Sequence, residues 1–301
     1  MDKARHTEDL HGIFPIIYTA FHEDGRIDER GERRIVDHLI AAGAHGLAPV
    51  GGASETDQMT PGERRWLLEI CVDQTAGRVP LVVGCTGTTT QESIDYVKHG
   101  AALGVRAAFG LVPYEQQQLK GDAFAEALRR HYLTLGEASS IPIMVQETSN
   151  PIPPELVVQI FEHCPNVSYV KEEAPDTAHR ITALLQASNG RLRIFSGGTS
   201  LLGDLDRGAI GAIPGSIGVA DLSTAYDRFQ AGDRLGARRA FNHFLPLSTW
   251  RRQFNPHGAK EVLRRLGIIE SIHSRKGQGQ RMDAYDLREL DEIMEVQGPP
   301  F

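Results

Sequence analysis

Cysteine is scarce in this 301-residue chain: Cys71, Cys85 and Cys164 stand far apart, without CxxC spacing. An odd, scattered set excludes a disulfide framework and argues against a structural zinc site. Long apolar runs are missing too, so no segment reads as a membrane span of about 20 residues. The opening MDKARHTEDL is polar and lacks a signal-peptide hydrophobic region. Positive charge is in deficit, with 32 Lys and Arg against 39 Asp and Glu and a net charge of -7. Such a surface is a poor partner for a nucleic-acid backbone. Neither GxGxxG nor a GxxxxGK phosphate loop follows the first apolar run, and the 12 histidines form no HExxH pair. These absences point to a cytoplasmic protein with no metal, no nucleic-acid partner and no membrane.

What is present is a soluble globular composition, 41% hydrophobic and 24% charged, able to fill a large core. Residues 1–11 read as a frayed polar leader. Gly12–Tyr18 reads as the first strand, Asp24-Gly25 as a turn, and Asp28 as the cap of a helix to about Ala42. That helix carries Ile35, Val36, Leu39 and Ile40 on one face. A glycine then returns the chain to the strand Leu47–Val50, and the same pattern recurs at Ala101–Gly104 and Arg207–Gly211. Further strands are expected at Pro80–Gly84, Ala107–Val112, Ile141–Val145, Val167–Val170, Leu192–Phe195 and Ala212–Pro214. Their apolar runs are continuous, as in parallel strands covered on both faces. Eight βα units in about 220 residues predict a closed TIM (β/α)8 barrel over an open sheet. Helices expected at Asp221–Ala231, Asp233–Leu247, Lys260–Leu266 and Asp286–Val296 follow, with loops at Arg252–Gly258 and Ser274–Gln280. The expected division is a barrel over 12–231 and a C-terminal helical extension, 232–301, packed on it.

Barrel enzymes carry their chemistry at the C-terminal ends of strands. The sixth expected strand ends in Lys171-Glu172-Glu173. Burial depresses the pKa of a lysine, and a neutral amine is a nucleophile able to form a Schiff base. The plainer reading of Lys171 is a strand-end lysine that snorkels to water or pairs with Glu172 or Glu173. The second strand ends in Gly51-Gly52-Ala53-Ser54-Glu55, whose backbone N–H groups can approach a carboxylate. It reads equally as a glycine-rich turn with Ser54 or Thr60 opening a helix. Tyr114 at the fourth strand end relays a proton or packs. Gln146-Glu147-Thr148, Ser196-Gly197-Gly198 and Pro214-Gly215-Ser216 complete a set of polar or small residues suited to a small anionic carbonyl compound.

Gly51–Glu55, Val170-Lys171-Glu172 and Ser196-Gly197-Gly198, in this order and spacing, resemble the dihydrodipicolinate synthase and N-acetylneuraminate lyase superfamily from about Gly12 to about Ala231. The resemblance implies a Schiff-base barrel, usually a homotetramer, acting on pyruvate or another 2-oxo acid with no cofactor beyond the imine on Lys171. Two departures stand out. Family members that bind pyruvate usually have paired hydroxyl residues where this chain has Gly52-Ala53, and a tyrosine where it has Gln146. An amide cannot shuttle a proton as a phenol can. The Ile141–Gln146 run, Ser54-Glu55 and Lys171–Pro175 look closer to sugar-acid members of the L-2-keto-3-deoxyarabonate dehydratase type. The resemblance therefore implies a lyase that dehydrates a 2-keto-3-deoxy sugar acid. Its alternatives are a pyruvate-dependent aldolase or synthase, and a barrel that binds a 2-oxo acid without turnover. Candidate proton carriers are Glu173, Tyr114 and Glu55. The substrate carboxylate is expected on amides near Gly52, Ala53 and Ser54, with Gly198 and Gly215 leaving room or offering backbone contacts. Gln146 would hold a substrate hydroxyl, or stand as a solvated strand end. His257 and Lys260 read as a helix-start loop followed by a surface lysine, or as substrate contacts. Arg251-Arg252 reads as an anion site or a solvated pair, and Cys71 and Cys85 as space-filling residues.

Overall fold

The computed structural model describes residues 10–148, 151–277 and 281–298. Most of the expected leader, residues 1–9, and the end of the expected loop, residues 278–280, lie outside the described residues. The elements in chain order begin with β1 (Gly12–Ile13), α1 (Glu29–Ala41), α2 (Pro61–Thr75), β2 (Val82–Gly84), α3 (Thr90–Ala102) and β3 (Ala107–Gly110). They continue with α4 (Gly121–Ala138), β4 (Ile143–Glu147), α5 (Pro154–His163), β5 (Val167–Glu172), α6 (Thr177–Ala187) and β6 (Arg193–Ser196). The last are α7 (Leu201–Asp206), β7 (Gly211–Ala212), α8 (Val219–Gln230), α9 (Arg234–Gln253), α10 (His257–Arg265) and α11 (Ala284–Gln297). The chain divides into two compact units, one of residues 10–11 and 80–213, the other of residues 12–79 and 214–298.

In the unit of residues 80–213, strands β2 to β7 pair in sequence order, all parallel. A helix lies between each strand and the next, so the unit is a run of βα repeats. β5 is the longest strand, six residues, all buried. Val167, Tyr169 and Val170 favour the pleated backbone. Its end is fixed when Glu172 Oε1 accepts the Ala174 N–H at 2.7 Å and Pro175 follows without a donor. Register places Gln146 beside Lys171 and Glu147 beside Glu172. Side chains alternate along a strand, so the lysine row and the glutamate row project to opposite faces.

In the other unit, Asp28 caps α1 by accepting the Gly31 N–H at 3.0 Å, and Ile35, Val36 and Leu39 are buried as the periodicity requires. Thr60 and Glu63 form a capping box at the start of α2. Two expected strands shrink here. Gly12–Tyr18 is a ladder only at Gly12–Ile13, with a bridge at Ile16 to Ala48 and to Gly215. Leu47–Val50 contributes only isolated bridge residues, Leu47 and Ala48, and no ladder. Pro15 and Pro49 have no N–H to donate, and Val50 at φ 61 leaves the extended region. α9 runs past its expected end at Leu247 to Gln253 despite Pro246 within it. Burial of Leu247, Trp250 and Phe254 outweighs the one backbone hydrogen bond that the proline removes. No helix among the described residues is long and apolar enough to cross a membrane.

Candidate active site

Lys171 has no solvent exposure at all. Its Nζ donates to Glu173 Oε2, and the Gln146 amide nitrogen donates to the same oxygen at 3.3 Å. The Phe109 ring centroid lies 5.7 Å from Nζ and closes one side of the ammonium with its electron-rich face. Glu173 sits one residue past the ladder, and its side chain keeps 28% exposure. The carboxylate therefore joins a dry amine to water. Room for it comes from Gly197, where a Cβ would sit 3.1 Å from Glu173 Cγ and Oε1. Gly198 lies beside it in the left-handed region at φ 82, with its N–H on Ser196 Oγ at 3.2 Å.

On the reverse face of the same strands, Arg180 from α6 binds both carboxylates of the neighbouring row. Its Nε donates to Glu172 Oε2 at 3.0 Å, and its Nη2 donates to Glu147 Oε2 and to the Ile152 carbonyl at 2.7 Å. The Ile152 N–H returns to Glu147 Oε2 at 2.9 Å. Burial, then the charge of Glu172, push Glu147 up to about 8. Burial raises Glu172 as well. Two carboxyls and one guanidinium are neutral only if one carboxyl keeps its proton. Glu147 Oε1 is buried with no hydrogen-bond partner, which suits a protonated carboxyl better than a carboxylate. Tyr132, fully buried, donates to the Gly110 carbonyl and accepts the Gln146 N–H at 3.2 Å. It braces the end of β4 rather than facing a reacting group.

A cavity of about 70 Å³ adjoins Gln146; Phe124, Leu128 and Ile152 supply apolar walls, Gln117 and Thr148 polar ones. Tyr114 opens a 3-10 turn after β3, half-buried, its backbone N–H on the Gly87 carbonyl at 3.0 Å. Among the described residues its phenol makes no hydrogen bond to Lys171 or Glu173. Lys171, Glu173 and Gln146 are thus brought together, and Gly198 lies near them in sequence to Gly197.

The remaining sequence candidates belong to the unit of residues 12–79 and 214–298. Gly52, Ala53 and Ser54 form a 3-10 turn. Ser54 Oγ donates to the Ile17 carbonyl at 2.6 Å and accepts the Gly51 N–H at 3.1 Å. Glu55, fully buried, receives Lys260 Nζ at 2.6 Å, Ser274 Oγ at 2.7 Å and the N–H groups of Arg275 at 2.8 Å and Lys276 at 3.2 Å. Its oxygens are occupied by the chain's own donors. Lys260 is not the surface lysine expected. It is fully buried on Glu55 and the His273 carbonyl, with the Phe21 ring centroid 4.5 Å away. Burial lowers its pKa while Glu55 opposes that fall. Gly215 packs on Tyr18: a Cβ there would meet the phenol oxygen at 2.9 Å. Sequence reasoning missed Arg180, Tyr132 and the Lys260–Glu55 pair. Strand alternation alone could have sent Glu147 and Glu172 to the helix side. Cys71 and Cys85 are buried, as the space-filling reading holds, and Cys164 is buried as well. No group of three or more His, Cys, Asp or Glu among the described residues could hold a metal ion.

Comparison with known proteins adds an independent finding. The sequence pattern of the dihydrodipicolinate synthetase family matches residues 9–291. A 4-hydroxy-tetrahydrodipicolinate synthase from Hyphomonas neptunium is 30% identical over 271 residues, 86% of this chain and 89% of the relative. The crystal structure of YagE, a prophage protein of the dihydrodipicolinic acid synthase family from E. coli in complex with pyruvate, superposes with a TM-score of 0.86. It is 21% identical and the match covers 96% of this chain and 98% of that one. The 4-hydroxy-tetrahydrodipicolinate synthase of Methylacidiphilum fumariolicum gives 0.86 at 22% identity, covering 96% of each chain. These likenesses show the fold, the TIM (β/α)8 barrel with C-terminal helices expected from the strand pattern.

Proposed function

The chain belongs to the dihydrodipicolinate synthetase family, and on that premise we propose that it dehydrates a 2-keto-3-deoxy sugar acid of the L-2-keto-3-deoxyarabonate type through an imine on Lys171. The family consists of lyases that hold a 2-oxo acid as a Schiff base on lysine, without metal or other cofactor. The observation that carries the finer reading is the contact of Lys171 with Glu173, in the row where Gln146 replaces a phenol. A carboxylate against the amine suits a proton carrier that takes a proton from a substrate carbon bound there and returns it to a leaving hydroxyl.

Lys171 adds to the C2 carbonyl and one water leaves, forming the protonated imine. Glu173 takes a proton from C3, and the C3–H electrons become the enamine double bond. The nitrogen lone pair then re-forms the imine, a C3–C4 double bond forms, and the C4–O bond breaks. Glu173 gives its proton to that hydroxyl, which departs as water. Hydrolysis of the imine returns Lys171, and the unsaturated product rearranges to a 2,5-dioxo acid. Gln146 donates to a substrate hydroxyl, and the cavity beside it takes the distal carbons. General acid–base help of this kind is worth about 10²- to 10⁴-fold.

The names of the relatives favour a second reading, in which the same imine makes or breaks the C3–C4 bond. Borohydride reduction with a panel of 2-keto-3-deoxy acids and pyruvate, followed by peptide mass spectrometry, separates them. Dehydration predicts an adduct on Lys171 one water lighter than the trapped substrate, and no pyruvate detectable by a coupled lactate dehydrogenase. A three-carbon adduct with stoichiometric pyruvate would replace dehydration by aldol cleavage. Absence of any adduct would remove both readings. The proposal extends to a homotetramer on family resemblance, and sedimentation velocity checks it.

A further inference from the structure

We propose that Arg251 is the cation of an oxyanion site in the unit of residues 12–79 and 214–298, and that the group it receives is a carboxylate. The inference does not depend on the chemistry assigned to Lys171. Arg251 lies in the last turn of α9 and is only 8% exposed. Arginine is almost never buried to that degree without an acidic partner. Lys171 has Glu173, Arg180 has Glu147 and Glu172, and Lys260 has Glu55. Arg251 has no carboxylate among the described residues. Its Nη1 donates to the Tyr18 phenol oxygen at 3.1 Å, and that phenol gives its one proton to Asn255 Oδ1 at 3.1 Å. Neither neighbour carries negative charge. The carbonyl end of α9 supplies only a partial charge, about half an electron over the last turn.

The orphaned atom indicates the geometry of the missing partner. Arg251 Nε is buried and has no hydrogen-bond acceptor. With Nη1 taken by Tyr18, Nε belongs to the Nε–Nη2 edge, which presents two parallel N–H bonds matched to the two oxygens of a carboxylate. The phenol that orients the guanidinium is itself held. Tyr18 N donates to Ser216 Oγ at 3.3 Å, and Gly215 leaves the space its ring occupies. On either side of Tyr18, Ser54 Oγ donates to the Ile17 carbonyl at 2.6 Å and Thr19 Oγ1 donates to the Ser54 carbonyl at 2.8 Å. Asn255 is exposed and connects the cluster to water, and its amide N–H2 is a second donor for an arriving anion.

The carboxylate is assigned to an anion separate from the acid that reacts with lysine. The test uses the full-length protein with pyruvate, succinate and inorganic phosphate as probes, and the variants Arg251→Met and Arg251→Lys. Thermal unfolding reports binding, and the pyruvate concentration that half-saturates borohydride trapping reports occupancy at Lys171. The wild type should gain thermal stability with at least one carboxylate. Arg251→Met should weaken that ligand on the order of 100-fold, and Arg251→Lys, which keeps the charge but not the fork, should fall between. A raised half-saturation for trapping in Arg251→Met, with full trapping at high pyruvate, overturns the assignment to a separate anion. Unchanged trapping with loss of the succinate effect supports the separate carboxylate; a phosphate effect with no carboxylate effect overturns it. Equal ligand stabilisation of the wild type and Arg251→Met, with equal trapping, overturns the proposal. If Arg251→Met does not fold, Arg251→Lys decides: unweakened binding of all three probes by this variant overturns the site as well.

Discussion

Replacing Glu147 by glutamine should make the protein more stable at pH 8 while changing little at pH 5. Glu147 titrates at about 8 in the folded chain, against 4.5 for the unfolded group, because burial and then the charge of Glu172 oppose its ionisation. Between those two values the folded state holds a proton that the unfolded state has released. Stability from this group is therefore complete below about pH 4.5 and drains away as the pH rises toward 8. The slope reaches at most about 1.4 kcal/mol per pH unit for one whole proton, which caps the loss near 5 kcal/mol. Arg180 meets part of the charge, so about 2 kcal/mol is expected from this site.

Glutamine reproduces the neutral form without a proton to lose. Its oxygen can accept from Arg180 and the Ile152 N–H, as Glu147 Oε2 does, and its nitrogen takes the place of Oε1, which has no partner to lose. The assay is urea unfolding of both proteins at pH 5, 6, 7 and 8. Burial also raises Glu32 to about 7 and Asp204 to about 6, so the wild type keeps a slope from those sites. The readout is the difference between the two curves, which should open steadily above pH 6 in favour of Glu147→Gln. A variant that is weaker by 2 kcal/mol or more at every pH, with an unchanged slope, would show that Glu147 is ionised and held by Arg180 as an ordinary ion pair.

Lys260→Met should cost about 3–5 kcal/mol in urea unfolding, because Glu55 then keeps its buried charge without its cation. The double variant Lys260→Met, Glu55→Gln should recover most of that loss; no recovery would mean that lysine packing, not charge, holds the segment after α10. Glu173→Gln should lower turnover by about 10²- to 10⁴-fold while borohydride still traps substrate on Lys171, and normal turnover would remove Glu173 from proton transfer. Cys71, Cys85 and Cys164 are buried, and burial with the neighbouring Glu32 raises the Cys71 thiol well above its ordinary value. A thiol reagent should therefore label none of them before unfolding, and rapid native labelling would show that the packing around them opens.

Glycines that close helices and β-branched runs that follow them made the βα repeats legible, because both signals act within a few residues. Leu47–Val50 failed as a strand for an equally local reason that the apolar run concealed: Pro49 removes a donor and Val50 turns to φ 61. The site was legible in part. The position of Lys171 at a strand end could be read, but which of two adjacent carboxylates it meets depends on where the ladder stops. Glu172 is the last paired residue and alternation carries it to Arg180; Glu173, one step later, is free to turn back to the amine. What sequence could not give was any partner far along the chain. Lys260 looked like a surface lysine because Glu55, 205 residues away, and the His273 carbonyl beyond the helix carry no local mark of the contact. A buried charge is thus identified by its neighbours rather than by its own segment. Three such cations have acids beside them; Arg251, buried and with no carboxylate among the described residues, is informative for that reason.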